Sequence, residues 1–232
     1  MHSTVADNIP RLLALETSGA ACSIALLAGE QLLAEYALEE PNVHDRMLAV
    51  SVERILDDTH TQPEMLDALA VSAGPGSFTG LRIGLAFAKG FCFGTATQLI
   101  MVPTLEACAS SAVPIAKHIP ECDIAAIVHA HDDLYFAQHF ACDGTPLTEP
   151  AVLEHNIIEQ RITMQTIVCG SGAREFRHGI HIPGLARLTA RFVARRALAL
   201  LAAAEISDPA NAAPLYVEEF APKRRLTAQS VD

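Results

Sequence analysis

Three stretches of the 232-residue chain combine residue types that could do chemistry. The first is AVSAGPGSFTGLRIGLAFAKGF, Ala70 to Phe91, where a short apolar run passes through a Gly/Pro/Ser loop into helical periodicity. Many phosphate sites share that layout, because loop N–H groups and a helix N-terminus attract anions. The familiar chemistries fail on spacing. A Walker loop needs GxxxxGK followed by Ser or Thr, whereas Gly80 is followed by Leu81-Arg82. A dinucleotide loop needs GxGxxG, whereas Gly74, Gly76 and Gly80 are spaced GxGxxxG, and Ser77 is not in a GxSxG elbow. The loop keeps only the capacity to hold an anion or a partner's carbonyl groups.

The second stretch, Glu16-Thr17-Ser18, reads either as a nucleotide-facing turn or as a plain strand end. The third is HAHDD. On a strand, His129 and His131 share a face, and with Asp132 or Asp133 they could ligate a metal and make the chain an autonomous hydrolase or peptidase. Enzymes that use HxH in this way place it at the start of a (β/α)₈ barrel, which needs more residues than this chain has. The alternative is a surface cluster at a strand end. Arg187, Arg191 and Arg195 form a stripe at i, i+4 and i+8, and Lys223-Arg224-Arg225 a basic run; each reads as an RNA contact or as a solvated face.

The elements that must position these residues follow from hydrophobic periodicity. Leu12–Glu16, Ala21–Ala28 and Gln31–Ala37 read as an antiparallel meander turned at Thr17-Ser18-Gly19 and Gly29-Glu30. A helix is expected over Val43–Asp57 with Asn42 as its cap, then a buried strand at Asp67–Ala73 and the post-loop helix Phe78–Phe93. A strand at Leu99–Val102 and a helix from Pro103-Thr104 to about Ser111 complete a βββαβαβα order. The Pro-containing segment Ala112–Asp123 then reads as a boundary. Beyond it come strands at Ile124–Ala130, Tyr135–Cys142 and Ile167–Cys169 and a long helix at Leu185–Ile206. Strand-first halves used twice predict an α/β fold of mixed sheets covered by helices, with lobes at 1–111 and 112–232 and a C-terminal segment that can pack back on the first.

Composition narrows the function. Half the chain is hydrophobic, so it folds into a compact core, and a formal net charge of −11 disfavours direct capture of nucleic acid. The six cysteines lie scattered without a CxxC pair, which fits reduced thiols in a cytoplasm rather than a disulfide scaffold or zinc ribbon. Every long apolar stretch is interrupted by Arg82, Lys89 or Arg195-Arg196, and no basic-then-apolar leader opens the chain, so neither secretion nor membrane insertion is expected.

The motifs LALETSGAACSIAL, SAGPGSFTGLRIGLAFAKG and VPTLEACA, in this order and at these separations, resemble the TsaB/YeaZ family of bacterial tRNA threonylcarbamoyladenosine biosynthesis proteins. The second half matches more loosely, through LYFAQHF, VCGSGA and PLYV. The resemblance implies a two-lobed fold of the actin/Hsp70/sugar-kinase type with a reduced second lobe. It also implies a noncatalytic role beside the paralogue TsaD, which transfers the threonylcarbamoyl group, with the ATPase TsaE completing the complex and tRNA reached only through it. No cofactor or metal of its own is expected. The catalytic paralogue holds its metal with two histidines at i and i+4; the matching positions here are Thr104 and Cys108, around Glu106, and no HxxxH pair occurs among the ten histidines. Where the family commonly has Asp-Thr-Ser, this chain has Glu16-Thr17-Ser18, and where it often has Asp-Ala-Arg before the Tyr, this chain has HAHDDLY.

Gly80, Gly84 and Ala88 recur every four residues and predict a groove that another helix can approach closely. In the family two helices of the first lobe meet the paralogue's equivalent pair, and the same face pairs two copies when the paralogue is absent. The residues expected at that interface are Met47, Leu48, Val52, Gly80, Leu81, Gly84, Leu85 and Ala88.

Overall fold

The computed structural model of the protein describes residues 9–40 and 44–217. Asn42, expected as a helix cap, and the Lys223-Arg224-Arg225 run lie outside the described residues. The first lobe opens with β1 (Arg11–Glu16), β2 (Cys22–Ala28) and β3 (Gln31–Leu38), an antiparallel meander. Helix α1 (His44–Asp58), strand β4 (Ala68–Gly74), helix α2 (Phe78–Gly94), strand β5 (Gln98–Pro103) and helix α3 (Thr104–Ala116) follow. The sheet order is β3-β2-β1-β4-β5, with β4 parallel to both β1 and β5. β1 and β4 read as nearly continuous apolar runs because both sheet faces are covered. Leu13, Leu15, Leu69 and Val71 face α1 and α2, while Leu12, Ala14, Ala68 and Ala70 face α5 (Ala190–Ala202).

The second lobe repeats the plan. Strands β6 (Asp123–His131), β7 (Leu134–Ala141) and β8 (Ala151–Glu154) form a meander, and β9 (Thr166–Cys169) and β10 (Ile180–His181) add parallel to β6. The order β10-β9-β6-β7-β8 is the first sheet's order over again. In place of two long helices, this lobe's sheet carries, among the described residues, α4 (His155–Glu159) and short 3₁₀ turns. Two sheets of one topology, joined by α3 with α5 packed against it, make a two-lobed α/β fold of mixed sheets with its second lobe reduced, the arrangement the resemblance implies.

Two helices differ from their expected spans. α3 continues past Ser111 to Ala116, because Ala112 and Ala116 are buried on the second sheet and Pro114 sits on the solvent side of the last turn. α5 starts at Ala190, five residues after the expected Leu185, and ends at Ala202. Its first amides are held by distant side chains: Ala190 N–H donates to Ser23 Oγ (2.9 Å) and Arg191 N–H to Glu35 Oε1 (3.1 Å). Arg187 therefore precedes the helix, and the expected three-arginine stripe is not continuous.

The small-residue row on α2 faces inward. A Cβ on Gly80 would strike Thr17 O, and one on Gly84 would strike Thr17 Oγ1 and meet Val71. The groove expected as an external docking site is filled by the end of β1, and this close approach offsets the cost of two glycines within a helix. Leu48, Val52, Leu81, Leu85 and Ala88 are likewise buried in the first-lobe core, and Met47 is partly buried against it.

Gly84→Ala should therefore destabilise the protein by about 1–3 kcal/mol through overpacking against Thr17. Gly90→Ala, on the same helix where an added Cβ meets nothing within 4 Å, should stabilise by up to about 1 kcal/mol. Urea titration of both variants checks the pair, and equal shifts of one sign would refute the inward packing.

Candidate functional site: the glycine loop and the interlobe cleft

β1 delivers Glu16 to a buried turn. Glu16 is 1% exposed and Thr17 and Ser18 are buried with it. Ser18 donates its backbone N–H (2.6 Å) and its hydroxyl (2.5 Å) to Glu16 Oε1, while Oε2 is buried without a hydrogen-bond partner. Thr17 N–H donates to Ser72 Oγ on β4 (3.3 Å). Burial pushes the Glu16 carboxyl up to about 7, against hydrogen bonds from Ser18 that pull the other way.

The glycine loop closes over this turn. Ser77 N–H donates to Ser18 O (2.7 Å), Gly80 N–H to Ser77 Oγ (3.2 Å) and Gly74 N–H to Thr104 Oγ1 (3.1 Å). These amides, which a phosphate site would offer to its ligand, are committed within the chain. Gly74 has φ +113°, a backbone region that disfavours side chains, and an added Cβ there would meet Leu215 O. That carbonyl belongs to the C-terminal segment, which crosses the loop: Leu215 N–H donates to Ala73 O (2.7 Å), and the Tyr216 ring lies 5.9 Å from Phe78.

Between the lobes lies an open cleft of about 700 Å³, lined by Ser18, Gly19, Thr104, Cys108, Thr189 and Arg187 among others. Cys108 is fully buried at its floor, and burial raises its thiol well above the usual range. Two of the cleft's three arginines, Arg187 and Arg191, are partnered by β3 and the residue after it. Arg191 Nε donates to Glu35 Oε2 (2.5 Å), and Arg187 Nε sits 2.7 Å from Glu39 Oε1, off the hydrogen-bond line. Arg195 lies outside this group, 5.9 Å over the Phe192 ring. The stripe is thus structural at two of its three positions.

The structure brings Glu16, Thr17 and Ser18 together with the glycine loop. His129 and His131 are separated by a bulge in the β6–β7 ladder, which breaks the face-sharing that strict alternation predicts. His129 packs edge-on to Tyr135 at 5.2 Å, and His131 Nδ1 pairs with Asp132 at 3.5 Å. Among the described residues no group of three or more His, Cys, Asp or Glu side chains is placed to hold a metal ion.

Sequence reasoning missed Ser72, Thr104 and Leu215 as partners of the loop, since they lie 30 or more residues from the groups they bind. It also missed the outward face of α2. There Arg82, Ala86, Gly90 and Phe93 are exposed, Phe93 to 93%, and Arg82 stacks over Phe78 at 3.8 Å. The spacing 82, 86, 90 and 93 was the available signal, because it is the face opposite Gly84 and Ala88.

The profile of the family described as "TsaD: tRNA N6-adenosine threonylcarbamoyltransferase" matches residues 36–152, half of the chain. The TsaB protein of Haemophilus influenzae is 37% identical over 128 residues, covering 55% of this chain and 52% of that one. The chain belongs to the TsaD family, on its TsaB/YeaZ branch. The TsaB protein of Escherichia coli is 38% identical over 102 residues, 44% of each chain, so this chain spans about half the length of the curated relatives it matches. A crystal structure from Pseudomonas aeruginosa, described as an uncharacterized protein with similarity to peptidase YeaZ, superposes with TM-score 0.76 at 25% identity, covering 90% of this chain and all of that one. The TsaB/YeaZ fold therefore extends over nearly the whole of this molecule.

The buried Glu16 has a pH consequence. Its folded value is raised from 4.5 to about 7, so the folded state binds the extra proton. The resulting stabilisation is complete below pH 4.5 and is lost as pH climbs through 7. The effect is at most about 3 kcal/mol between pH 5 and 8. Glu16→Gln should flatten the decline of urea-derived stability across that window relative to the parent; an unchanged slope would contradict a carboxyl neutral at low pH.

Proposed function

We propose that this protein serves tRNA threonylcarbamoyladenosine biosynthesis as a noncatalytic subunit, supporting a TsaD-like transferase together with a TsaE-like ATPase in the cytoplasm. The observation that carries the reading is the match of half the chain to the transferase family combined with Thr104 and Cys108 at the positions where the resemblance puts the paralogue's metal-binding histidines. Thr104 spends its hydroxyl on the Gly74 amide, and Cys108 is a buried thiol with its proton held tightly. Neither is a free metal ligand in this arrangement.

The outward face of the first lobe supports docking to the transferase. It presents Ala86, Gly90 and Phe93 from α2, and α1 adds Val50, 52% exposed. Small residues beside an exposed Phe let a partner helix approach while burying an aromatic anchor. This face replaces the inward residues that periodicity alone selected, and it also accounts for a homodimer of the isolated chain, which would compete with the heterodimer. With a net charge of −11, the protein leaves tRNA phosphates to its partners.

An Ala86→Glu/Gly90→Glu variant places two carboxylates on this face without touching the core. It should fold as the parent does, bind the TsaD-like paralogue at least about tenfold more weakly, and fail to restore threonylcarbamoyladenosine in the tRNA of cells depleted of the native protein. A variant that binds and restores the nucleoside like the parent would refute the interface. Normal nucleoside levels in the depleted cells themselves would refute the function.

A further inference from the structure

On the far side of the second lobe from the glycine loop, two cysteines end opposing strands. The β6–β7 register pairs Ile124 with Phe140 and Asp123 with Ala141, and Cys122 and Cys142 are the residues just beyond that last pair, Cys142 opening the turn that Gly144 N–H closes on Ala141 O. Paired strands lie about 5 Å apart, so residues flanking the end of a ladder are near the range of about 4.4–6.8 Å that a disulfide's Cα atoms span. The packing agrees. Ile124, Ala126 and Val128 of β6, and Cys122 just before it, enter the core beneath α3, and Cys142 packs against that same core. Both thiols are free, Cys122 buried and Cys142 half-buried. Cys122 Sγ donates only to the neighbouring Asp123 O, at 3.3 Å.

We infer that Cys122 and Cys142 are a modification site: a thiol pair that a low-molecular-weight disulfide such as oxidised glutathione converts to a reversible cross-strand disulfide. The more accessible Cys142 gives up its proton and attacks one sulfur of the oxidant, forming a mixed disulfide and releasing one glutathione thiolate. Cys122, on losing its proton, then attacks Cys142 Sγ and releases the second glutathione. The protein loses two protons and two electrons, and the oxidant is reduced to two thiols. Cys22, Cys92, Cys108 and Cys169 are buried and have no comparable route to the oxidant. Burial raises the Cys122 thiol above its ordinary range, which fits it as the second, resolving partner.

The bond would staple the start of β6 to the end of β7. Those strands lie under the C-terminal turns of α3, where Val113, Ile119 and Cys142 pack against the same core and a Cβ on Gly144 would meet Val113. Oxidation thus stiffens the seat of the helix that joins the lobes.

The test is peptide mapping by mass spectrometry, without reductant, of the full chain equilibrated in glutathione buffers of rising oxidised fraction. The expected product is one intramolecular peptide linking the Cys122 and Cys142 segments, reversed by excess reduced glutathione. Cys122→Ser should instead retain a glutathione adduct on Cys142, and Cys142→Ser should give neither adduct nor cross-link. The oxidised parent should melt at a higher temperature than the reduced one, and neither variant should show that shift. A parent that accumulates only the mixed disulfide, links between chains, or remains fully reduced in oxidised glutathione overturns the assignment.

Discussion

The seat of Thr17 against helix α2 is the constraint on which the first lobe depends. Its carbonyl and hydroxyl occupy the space that side chains at positions 80 and 84 would take, so α2 can lie close to β1 only with glycine at both. Everything near the loop follows from that approach. Ser77 reaches Ser18, Gly74 reaches Thr104, and the loop becomes a tie between β1, α2 and α3. A loop whose amides hold three elements together has few left for a phosphate, which explains a glycine pattern that matches no phosphate-binding spacing.

The same tie links the site to the architecture. α3 leaves β5 at Thr104 and carries the chain into the second lobe, while α5 returns to cover the first sheet and ties Glu106 to Arg196 at 2.6 Å. The cleft is therefore floored by the elements that set the relation of the lobes. Two of its three arginines, Arg187 and Arg191, are taken up by Glu39 and Glu35, which neutralises that wall. An exposed apolar face lies elsewhere, on the outer side of α2, where Phe93 is 93% exposed, as the proposed docking role requires.

Much of this was legible in the sequence because its cause was local. Apolar runs along Leu12–Glu16 and Ala21–Ala28, and the 3.6-residue period after Phe78, marked the first-lobe elements up to the start of α3 to within about two residues. Motif order carried the family. What could not be read depended on distant partners. The start of α5 is set by Ser23 and Glu35, more than 150 residues away, and its end at Ala203-Ala204, with Ala204 at φ +57°, carries no glycine to signal a stop. β8 and β10 are four and two residues long, too short to show a period. The small-residue row was correctly seen as a site of close approach; periodicity could not tell whether a partner helix or the chain's own Thr17 would fill it.

The most direct measurement of the account is reconstitution of threonylcarbamoyl transfer with labelled threonine, purified TsaD-like paralogue, TsaE-like ATPase, the adenylate-forming synthase and tRNA. This protein alone should give no labelled tRNA, and adding it to the other components should raise labelling from near background to turnover. Labelling by this protein without the paralogue, or equal labelling by the other components whether or not it is present, would contradict the account.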